Sequence, residues 1–335
     1  MADRRVAVVT GASAGVGRAV AIGLAGEGFD VALVARGQAG LEAAAADVES
    51  AGGRAVVVPT DVSDYDQVAA AAESAEGELG PVDVWVNDAM TTIFAPIWDV
   101  EPPDFRRALE VTFLGQVWGT KVALSRMMPR DRGTIVNVGS ALAFVGIPLQ
   151  SAYCSSKFAC RGYFESVRAE LLHCGSDVRL SMVHLPGVNT TQFNWCKSVF
   201  DRHPQPVPPI YQPEVAARAI VEVALDGRRA KVLGSWNKVL VAAARAFPGF
   251  ANQYAALGAW GSQLSDLPAD PDRPSNLWEP VDGTHDQGAH GIFDDKARGV
   301  RDRSFLEGLP DNARKLAAAA ARTAREKARR YRAVA

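Results

Sequence analysis

Residues 5–28 read RVAVVTGASAGVGRAVAIGLAGEG. The stretch opens with a short apolar run rich in β-branched residues and closes with small, helix-favouring residues, so it predicts a strand, a turn and a helix. Glycines 11, 15 and 17 let the backbone turn tightly and approach a pyrophosphate, whose charge the free N–H groups at the helix start would meet. The spacing G-x-x-x-G-x-G differs from the usual dinucleotide fingerprint G-x-G-x-x-G, and an ordinary glycine-bearing loop is the alternative.

Strand-like and helical stretches alternate through the first two thirds of the chain. Apolar, strand-like runs lie at 6–10, 30–35, 55–59, 82–87, 133–138 and 178–184. Helical stretches lie near 15–28, 38–52, 64–79, 103–129, 151–175 and 212–226. This alternation predicts an α/β fold, a doubly wound parallel sheet of the Rossmann type with helices on both faces. Ligands then belong beyond the carboxyl ends of the strands, where the glycine turn, Asp61, Asn87, Ser140 and Pro186 fall.

Length and composition indicate one large domain with an appendage. The chain has 335 residues, 48% of them hydrophobic, and a net charge of −2, which gives no reason to expect nucleic-acid binding. We expect a Rossmann-type domain at 1–235 and a C-terminal extension at 236–335. The first strand follows Met1 so closely that no signal peptide fits, and no apolar stretch reaches ~18 residues, so a soluble, cytoplasmic protein is expected. Four cysteines without C-x-x-C spacing and five scattered histidines predict no metal site.

Tyr153 and Lys157 are four residues apart in a helical stretch, and Ser140 precedes them by thirteen residues. Side chains at this spacing share one helix face, so the ammonium can stand beside the phenol and favour its ionised form. We expect a phenol pKa lowered from ~10 towards about 7, which suits an acid–base group. Ser140 supplies a hydroxyl for a substrate oxygen. Taken singly, the three residues have ordinary structural roles as alternatives.

The turn T-G-x-x-x-G-x-G, together with Ser, Tyr and Lys at these offsets, resembles the short-chain dehydrogenase/reductase family. The similarity runs from about residue 4 to 225 and includes Asp61-Val62, Asn87-Asp88-Ala89, residues 133–138 and Pro186-Gly187. The resemblance implies hydride transfer between nicotinamide C4 and a carbonyl or secondary alcohol, with Tyr153 as acid–base. It further implies that Lys157 lowers the phenol pKa and binds the nicotinamide ribose, and that Ser140 orients the substrate oxygen.

The resemblance also implies a cofactor-binding set. Its members are Gly11, Ser13, Ala14, Gly15, Val16, Gly17, Arg36, Asp61, Val62, Asn87, Ala89, Tyr153, Lys157, Pro186, Gly187 and Thr190. Asp61 and Val62 would hold the adenine, with a helix cap as the alternative role of Asp61. Thr190 would contact the nicotinamide carboxamide, although Thr191 fits the pattern as well. Relatives commonly form homodimers or homotetramers through two long helices, here 103–129 and 151–175.

Arg36 bears on the choice of cofactor. It follows the second strand, at the place where an acidic residue would bind an unmodified ribose hydroxyl. A guanidinium there can pair with a 2′-phosphate, and Ser13 can add a hydroxyl, so the sequence favours NADP, with NAD possible. A solvated surface arginine is the alternative.

The stretch Asn87-Asp88-Ala89-Met90 matches the family's N-N-A-G only in part, and the long helix departs from the family pattern as well. Met90 replaces the glycine of N-N-A-G, and Thr112 stands where relatives have a catalytic asparagine. The asparagine helps hold a water in the proton relay behind the lysine, and the Thr112 hydroxyl either takes over this role or is structural. These departures keep a second hypothesis open, a catalytically idle NADP-binding regulatory or scaffold protein.

Aromatic residues in several loops predict a hydrophobic substrate. They are Phe193, Trp195 and Phe200 after Pro186-Gly187, and Phe94, Trp98 and Phe144 elsewhere. Packing beneath a long loop or in an oligomer interface is the alternative for each of them.

The extension has three parts of different composition. Residues 236–262 are helical in pattern, and 265–308 are rich in Pro, Asp and Gly, too polar to form a core alone. Trp278 and Phe293 offer anchoring points, so we expect the polar part to wrap the domain. Residues 312–332 predict a basic, alanine-rich helix, whose weak apolar face argues against firm membrane association.

Overall fold

The computed structural model describes residues 4–246, 249 and 255–299. The predicted basic helix at 312–332 and the end of the polar segment, 300–308, lie outside the described residues. Within those residues, no helix combines the length and the apolar character needed to cross a membrane.

A parallel sheet forms the centre of the described structure. Its strands are β1 (Arg5–Thr10), β2 (Phe29–Ala35), β3 (Ala55–Pro59), β4 (Val82–Asn87), β5 (Thr134–Ser140), β6 (Arg179–Leu185) and β7 (Ala230–Val232). They are arranged in the order β7-β6-β5-β4-β1-β2-β3, and every pairing is parallel. The sequence predicts the first six of these strands to within about two residues at each end. It does not predict β7.

Helices cover both faces of the sheet. They are α1 (Gly15–Gly26), α2 (Gln38–Ser50), α3 (Tyr65–Leu79), α4 (Pro102–Leu109), α5 (Gly115–Met127), α6 (Ser151–His173), α7 (Gln192–Trp195), α8 (Pro213–Asp226), α9 (Ser235–Ala246) and α10 (Trp260–Ser262). One apolar cluster lies between the sheet and α1, α2 and α8, and a second lies between the sheet and α3, α5 and α6. All seven residues of β2 are buried because both of its faces are covered. The doubly wound α/β fold is confirmed.

The glycine turn joins β1 to α1 where the strand order reverses, between β1 and β4. Gly11 has a φ of +72°, which favours glycine, and a Cβ atom there would lie 2.9 Å from the backbone of Ala89. A Cβ atom on Gly17 would collide with the Gly11 carbonyl. The turn is therefore as tight as its glycines predict, and it opens a crevice at the carboxyl ends of the strands.

Short strands and irregular helical turns extend the crevice walls. Ile93–Phe94 pairs with Lys197–Ser198, Gly187–Val188 with Ile210–Tyr211, and Arg202–Pro204 with Leu264–Pro268. Three-residue 3₁₀ turns occupy Ile97–Asp99, Met128–Arg130 and Ala141–Ala143, and π-helical turns occupy Glu110–Leu114 and Ala255–Ala259. The pairing of Arg202–Pro204 with Leu264–Pro268 ties part of the C-terminal extension to the loop that follows β6.

Residues 276–298, which we call the strap, run across the crevice. At one end the Asn276 N–H donates to the Trp195 carbonyl at 2.9 Å, and at the other the Arg298 N–H donates to the Ile210 carbonyl at 2.9 Å. Phe293, only 1% exposed, anchors the second end. The strap therefore lies against the domain, with Phe293 buried and Trp278 half exposed.

Candidate active site

A cavity of about 540 Å³ lies beyond the carboxyl ends of the strands. The glycine turn lines one end, and Ser140 and Tyr153 line the other. The extension forms part of its wall, since Asn276 and Asp282 of the strap and Trp236 of α9 also line it. Its size is typical of small-molecule sites, and its position is that of ligand sites in doubly wound sheets.

Ser140, Tyr153 and Lys157 meet at one end of the cavity. Ser140 ends β5, and its Oγ accepts a hydrogen bond from the Leu142 N–H at 3.1 Å. The first two turns of α6 carry Tyr153 and Lys157, and the tyrosine side chain is in hydrogen-bonding contact with Ser140. Lys157 is almost fully buried; its Nζ donates to the Val138 carbonyl at 2.8 Å and lies 5.6 Å from the Tyr153 ring centroid. The four-residue spacing therefore places the ammonium beside the phenol, as predicted.

The protonation of this group differs from the sequence prediction. Burial raises the pKa of Tyr153, and the hydrogen bond with Ser140 offsets only part of that effect. Burial also lowers the pKa of Lys157, which weakens the cationic form that was expected to stabilise a phenolate. The predicted lowering of the phenol pKa is thus wrong for this geometry. In this structure, burial thus favours the protonated form of the Tyr153 hydroxyl.

Asp88 is a cavity residue that the sequence analysis did not single out. It follows β4, lines the cavity, and its carboxylate accepts a hydrogen bond from the Gly17 N–H. Burial raises the pKa of Asp88 to about 7, against the opposing effects of Lys157 and that N–H group. The signal was present in the sequence, because an acidic residue stands here at the second position of the N-N-A-G pattern.

Most of the predicted cofactor residues line the cavity. They are Gly11, Ser13, Ala14, Gly15, Val16, Arg36, Asp61, Val62, Ala89, Tyr153, Lys157, Pro186, Gly187 and Thr190. Thr191 lines it as well, so the choice between the two threonines stays open. Gly17 does not line the cavity. Because it has no Cβ atom, its backbone can approach the Gly11 carbonyl closely.

Asn87 lies behind the cavity wall. Its side chain is 1% exposed, donates to Asn137 Oδ1 at 2.8 Å and Thr120 Oγ1 at 3.2 Å, and accepts from Trp85 Nε1 at 2.8 Å. These buried partners use its polar atoms, so its predicted direct contact with a cofactor is wrong. Its position at a strand end did not reveal which way the side chain points.

Thr112 lies in the π-helical turn Glu110–Leu114 between α4 and α5. Its Oγ1 donates to the Thr91 carbonyl at 2.9 Å and accepts from the Thr91 N–H at 3.0 Å. Both hydrogen-bonding functions of the hydroxyl therefore hold a neighbouring loop. The structural alternative fits this geometry, and the catalytic role predicted for the Thr112 hydroxyl does not.

Asp61 and Arg36 both have partners that the sequence did not predict. The Asp61 carboxylate accepts from Arg107 Nη2 at 2.5 Å and from Ser63, and this pairing holds the pKa of Asp61 below its usual value although burial opposes it. The cap of α3 is Asp64 instead, so the capping alternative for Asp61 is wrong. Arg36 donates to the carbonyl of Trp278 at 2.7 Å and to that of Asn276. It is thus bound to the strap and is not a solvated surface residue.

Only two of the six predicted aromatic residues line the cavity, Phe193 and Trp195. Phe94 packs behind Phe193 with ring centroids 5.9 Å apart, and Phe144 packs edge-on against His184. Phe200 is away from the wall, and Trp98 is 70% exposed. For these four residues the packing alternative fits the structure better than contact with a substrate.

The apolar wall near Ser140 and Tyr153 comes mainly from aliphatic residues and from the extension. Its members include Leu142, Val145, Ile147, Ile210, Trp236 and Leu240. Trp236 and Leu240 belong to α9, which the sequence analysis treated only as part of an appendage. The pocket is therefore apolar, as predicted, but it is built by different residues.

Known proteins share this arrangement of sequence and fold. The short chain dehydrogenase family profile matches residues 5–198. An uncharacterized oxidoreductase of Bacillus subtilis, YxnA, is 32% identical over 85% of this chain and 81% of its own length. The 3-ketodihydrosphingosine reductase of Bos taurus is 33% identical over 68% of this chain and 70% of its own.

Solved structures agree with the sequence relatives. The alcohol dehydrogenase of Thermococcus sibiricus, complexed with 5-hydroxy-NADP, covers 68% of this chain and 94% of its own at 27% identity, with a TM-score of 0.59. A short chain dehydrogenase/reductase of Burkholderia phymatum, in complex with NAD, has a TM-score of 0.67, covers 81% and 98%, and at 21% identity supports the fold alone. With its family profile, its relatives and its parallel sheet, the chain belongs to the short-chain dehydrogenase/reductase family of oxidoreductases.

Proposed function

We propose that the protein is a nicotinamide-dependent reductase of a carbonyl group, and the reverse dehydrogenase, with Tyr153 as the acid–base and an apolar substrate. One observation carries the proposal: Ser140 and Tyr153 line the same cavity as the glycine turn. A cofactor held by that turn would reach the two hydroxyl groups along a single continuous space.

The residues present fit a dinucleotide. Gly11 and Gly17 leave no room for a Cβ atom, so the backbone of the turn is bare where a pyrophosphate would approach it. Asp61 and Val62 line the wall expected at the adenine, and Lys157 and Thr190 line the wall expected at the nicotinamide ribose and carboxamide. When bound, the nicotinamide supplies or accepts the hydride.

Tyr153 controls the proton that accompanies the hydride. In the reducing direction the carbonyl carbon gains a hydride and its oxygen gains the Tyr153 proton, so that a secondary alcohol and a phenolate result. Ser140, in contact with the tyrosine, donates a hydrogen bond to the same oxygen and fixes its position. Lys157, beside the ring, stabilises the phenolate until a proton from solvent restores the phenol.

The protonation state of Tyr153 favours reduction. Because burial raises the pKa of Tyr153, the hydroxyl carries its proton at neutral pH and is ready to donate it. Oxidation of an alcohol uses the phenolate, the form that burial disfavours.

Support for an apolar substrate comes from the cavity wall and from relatives. Leu142, Val145 and Trp236 line the cavity that Tyr153 also lines. The names of two relatives, a 3-ketodihydrosphingosine reductase and an estradiol 17-beta-dehydrogenase 11 that is 30% identical, state substrates with large apolar bodies. We infer a ketone or aldehyde with a bulky apolar group for this protein.

The predicted preference for NADP rests on Arg36. Its guanidinium would pair with a 2′-phosphate, although two of its nitrogens already donate to strap carbonyls. Relatives of known structure are complexed with a NADP derivative in one case and with NAD in another, so either form fits the fold.

The domain boundary and the oligomeric state are further proposals. We place the boundary at residue 235, because the last strand of the sheet ends at Val232 and α9 follows. A homodimer or homotetramer would pair through α5 and α6, and the exposed Phe158 and Leu172 on α6 offer it apolar contacts. Light scattering of the purified protein measures the second proposal directly.

The proposed function is tested by following NADH and NADPH consumption with ketones and aldehydes of increasing apolar size. Turnover that rises with apolar size supports the proposal. Tight binding of cofactor without turnover of any of these compounds contradicts it and favours the idle binding protein instead.

A further inference from the structure

The strap brings an acidic side chain to the adenosine end of the cavity. Asp282 lines this cavity and is itself only 5% exposed. Its carbonyl accepts a hydrogen bond from the Gly40 N–H at 3.1 Å, and the neighbouring Gly283 carbonyl accepts one from the Ala39 N–H at 3.4 Å. The backbone of the strap thus caps the first turn of α2 and fixes where the Asp282 side chain stands.

The Asp282 carboxylate fills the space left by two glycines after β2. A Cβ atom on Gly37 would collide with this carboxylate, and one on Gly40 would lie 2.6 Å from its Oδ2 and 2.9 Å from Ser13 Cβ. Arg36 and Ser13 are the residues beside which a 2′-phosphate was expected, and Gly37 directly follows Arg36. In this structure the same space holds a negatively charged side chain.

The charges around Asp282 leave it in need of a hydrogen-bond donor. Its Oδ2 is buried and has no hydrogen-bond partner among the described residues. Arg36, the nearby cation, directs two nitrogens to the carbonyls of Asn276 and Trp278. A buried acceptor without a partner costs roughly 1–3 kcal/mol, and a ribose hydroxyl is a donor that can relieve this cost.

We propose that Asp282 makes the protein selective for NAD over NADP, by accepting a hydrogen bond from the adenosine ribose and by excluding a 2′-phosphate. In dinucleotide-binding domains an acidic residue that follows the second strand usually does this. Here Arg36 stands at that place, and the strap supplies the acid from a residue 246 positions further along the chain. The inference rests on the proposed function, because it requires a nicotinamide dinucleotide in the cavity.

Electrostatics decides between the two cofactors. A 2′-phosphate adds about −1.5 to −2 charges and brings only acceptor oxygens, so it repels the Asp282 carboxylate and leaves Oδ2 without a donor. A free ribose hydroxyl adds no charge and donates. Arg36, held by carbonyl groups, offsets the repulsion only in part. The preference that Arg36 alone predicts is therefore reversed.

The test is titration of the purified full-length protein with NADH and with NADPH by isothermal calorimetry, without substrate. We expect NADH to bind at least about tenfold more tightly than NADPH. Asp282→Asn keeps the shape and removes the charge, so it should tighten NADPH binding by about tenfold and weaken NADH binding a few-fold. Asp295→Asn, an exposed position of the same strap, is the matched control and should leave the ratio of the two constants unchanged.

The outcomes separate this inference from the proposed function. Tighter binding of NADPH by the unmodified protein overturns the inference, and this result needs no variant. An unchanged ratio in a folded Asp282→Asn protein overturns it as well. NADH selectivity that depends on Asp282 supports it even if no ketone is reduced, a result that would defeat the proposed catalysis alone. If neither cofactor binds, both the inference and the proposed function fail.

Discussion

The two ends of the cavity are built in different ways. At the catalytic end, Ser140, Tyr153 and Lys157 come from one strand and the helix that follows it, within eighteen residues of sequence. At the adenosine end, Arg36 meets the strap, and the hydrogen bond from Arg36 to the Trp278 carbonyl spans 242 residues. The spacing of Ser140, Tyr153 and Lys157 in the sequence is enough to predict the catalytic end. The second end shows that a remote segment can form part of the wall of a ligand cavity in a familiar fold.

The largest expected effect tests the catalytic end. Tyr153→Phe removes the proton donor and leaves the ring, so we expect kcat to fall by about 10³-fold or more while the Kd of the cofactor stays within about threefold. Steady-state kinetics and calorimetry measure the two quantities. Tyr163→Phe is the matched control on the same helix, where the hydroxyl contacts the Val117 carbonyl at 3.5 Å and the Thr120 side chain, and its kcat should change less than twofold. A tenfold or smaller loss in Tyr153→Phe would remove Tyr153 as the acid–base.

The strap is tested by loosening its anchor. Phe293 is 1% exposed, so Phe293→Ala should cost about 3 kcal/mol of strap docking. Hydrogen exchange should then speed up at the Gly15 and Gly40 amides, which donate to strap carbonyls, and remain slow in β1 and β5. Ile292→Ala, next to it and 48% exposed, should leave the exchange unchanged. Equal acceleration in the sheet would mean that the strap is part of one cooperative unit with the core.

Asp88, between the two ends, predicts a pH dependence of stability. Burial raises the pKa of Asp88 to about 7 from 3.8, so between these values the folded protein holds a proton that the unfolded chain has released. The free energy of unfolding therefore falls as the pH rises through this window. Asp88→Asn should lack this contribution and be more stable than the unmodified protein above pH 7, by on the order of 2 kcal/mol after allowance for partial exposure. Urea unfolding at pH 5 and pH 8 measures it, and parallel pH profiles for the two proteins would refute it.

The smallest expected effect concerns the part of the extension that meets the catalytic end. Trp236 lines the cavity from α9, so Trp236→Ala should lower kcat/KM for a bulky apolar ketone by about tenfold and barely alter that for a small one. The difference arises because only the large substrate loses buried contact area. Equal losses for both substrates would show that α9 supports the fold of the site and not its specificity.

Much of the fold follows from local patterns, and the exceptions have physical reasons. β1 and β2 contain the buried apolar runs 6–9 and 31–35, which the sequence pattern reveals. β7 is a short edge strand with no fully buried residue, so its sequence carries no such pattern. The sequence does not predict the path of the strap for another reason. Backbone carbonyls of Asn276 and Asp282 make several of its contacts, and these contacts require no particular side chain.

In the candidate active site, too, the sequence predicts some features and not others. Spacing identified Ser140, Tyr153 and Lys157, because helix periodicity and strand ends bring them together. Side-chain direction and protonation depend on neighbours that no spacing reveals. Asn87 turns into a buried hydrogen-bond network, and burial raises the pKa of Tyr153 where a neighbouring cation was expected to lower it.

A crystal structure of the protein with NADH tests the central claim most directly. The account predicts the nicotinamide beside Tyr153 and the adenosine ribose within hydrogen-bond distance, about 2.6–3.2 Å, of the Asp282 carboxylate, with the strap still across the cavity. A cofactor bound with the strap displaced, or with Asp282 turned away from the ribose, would contradict it.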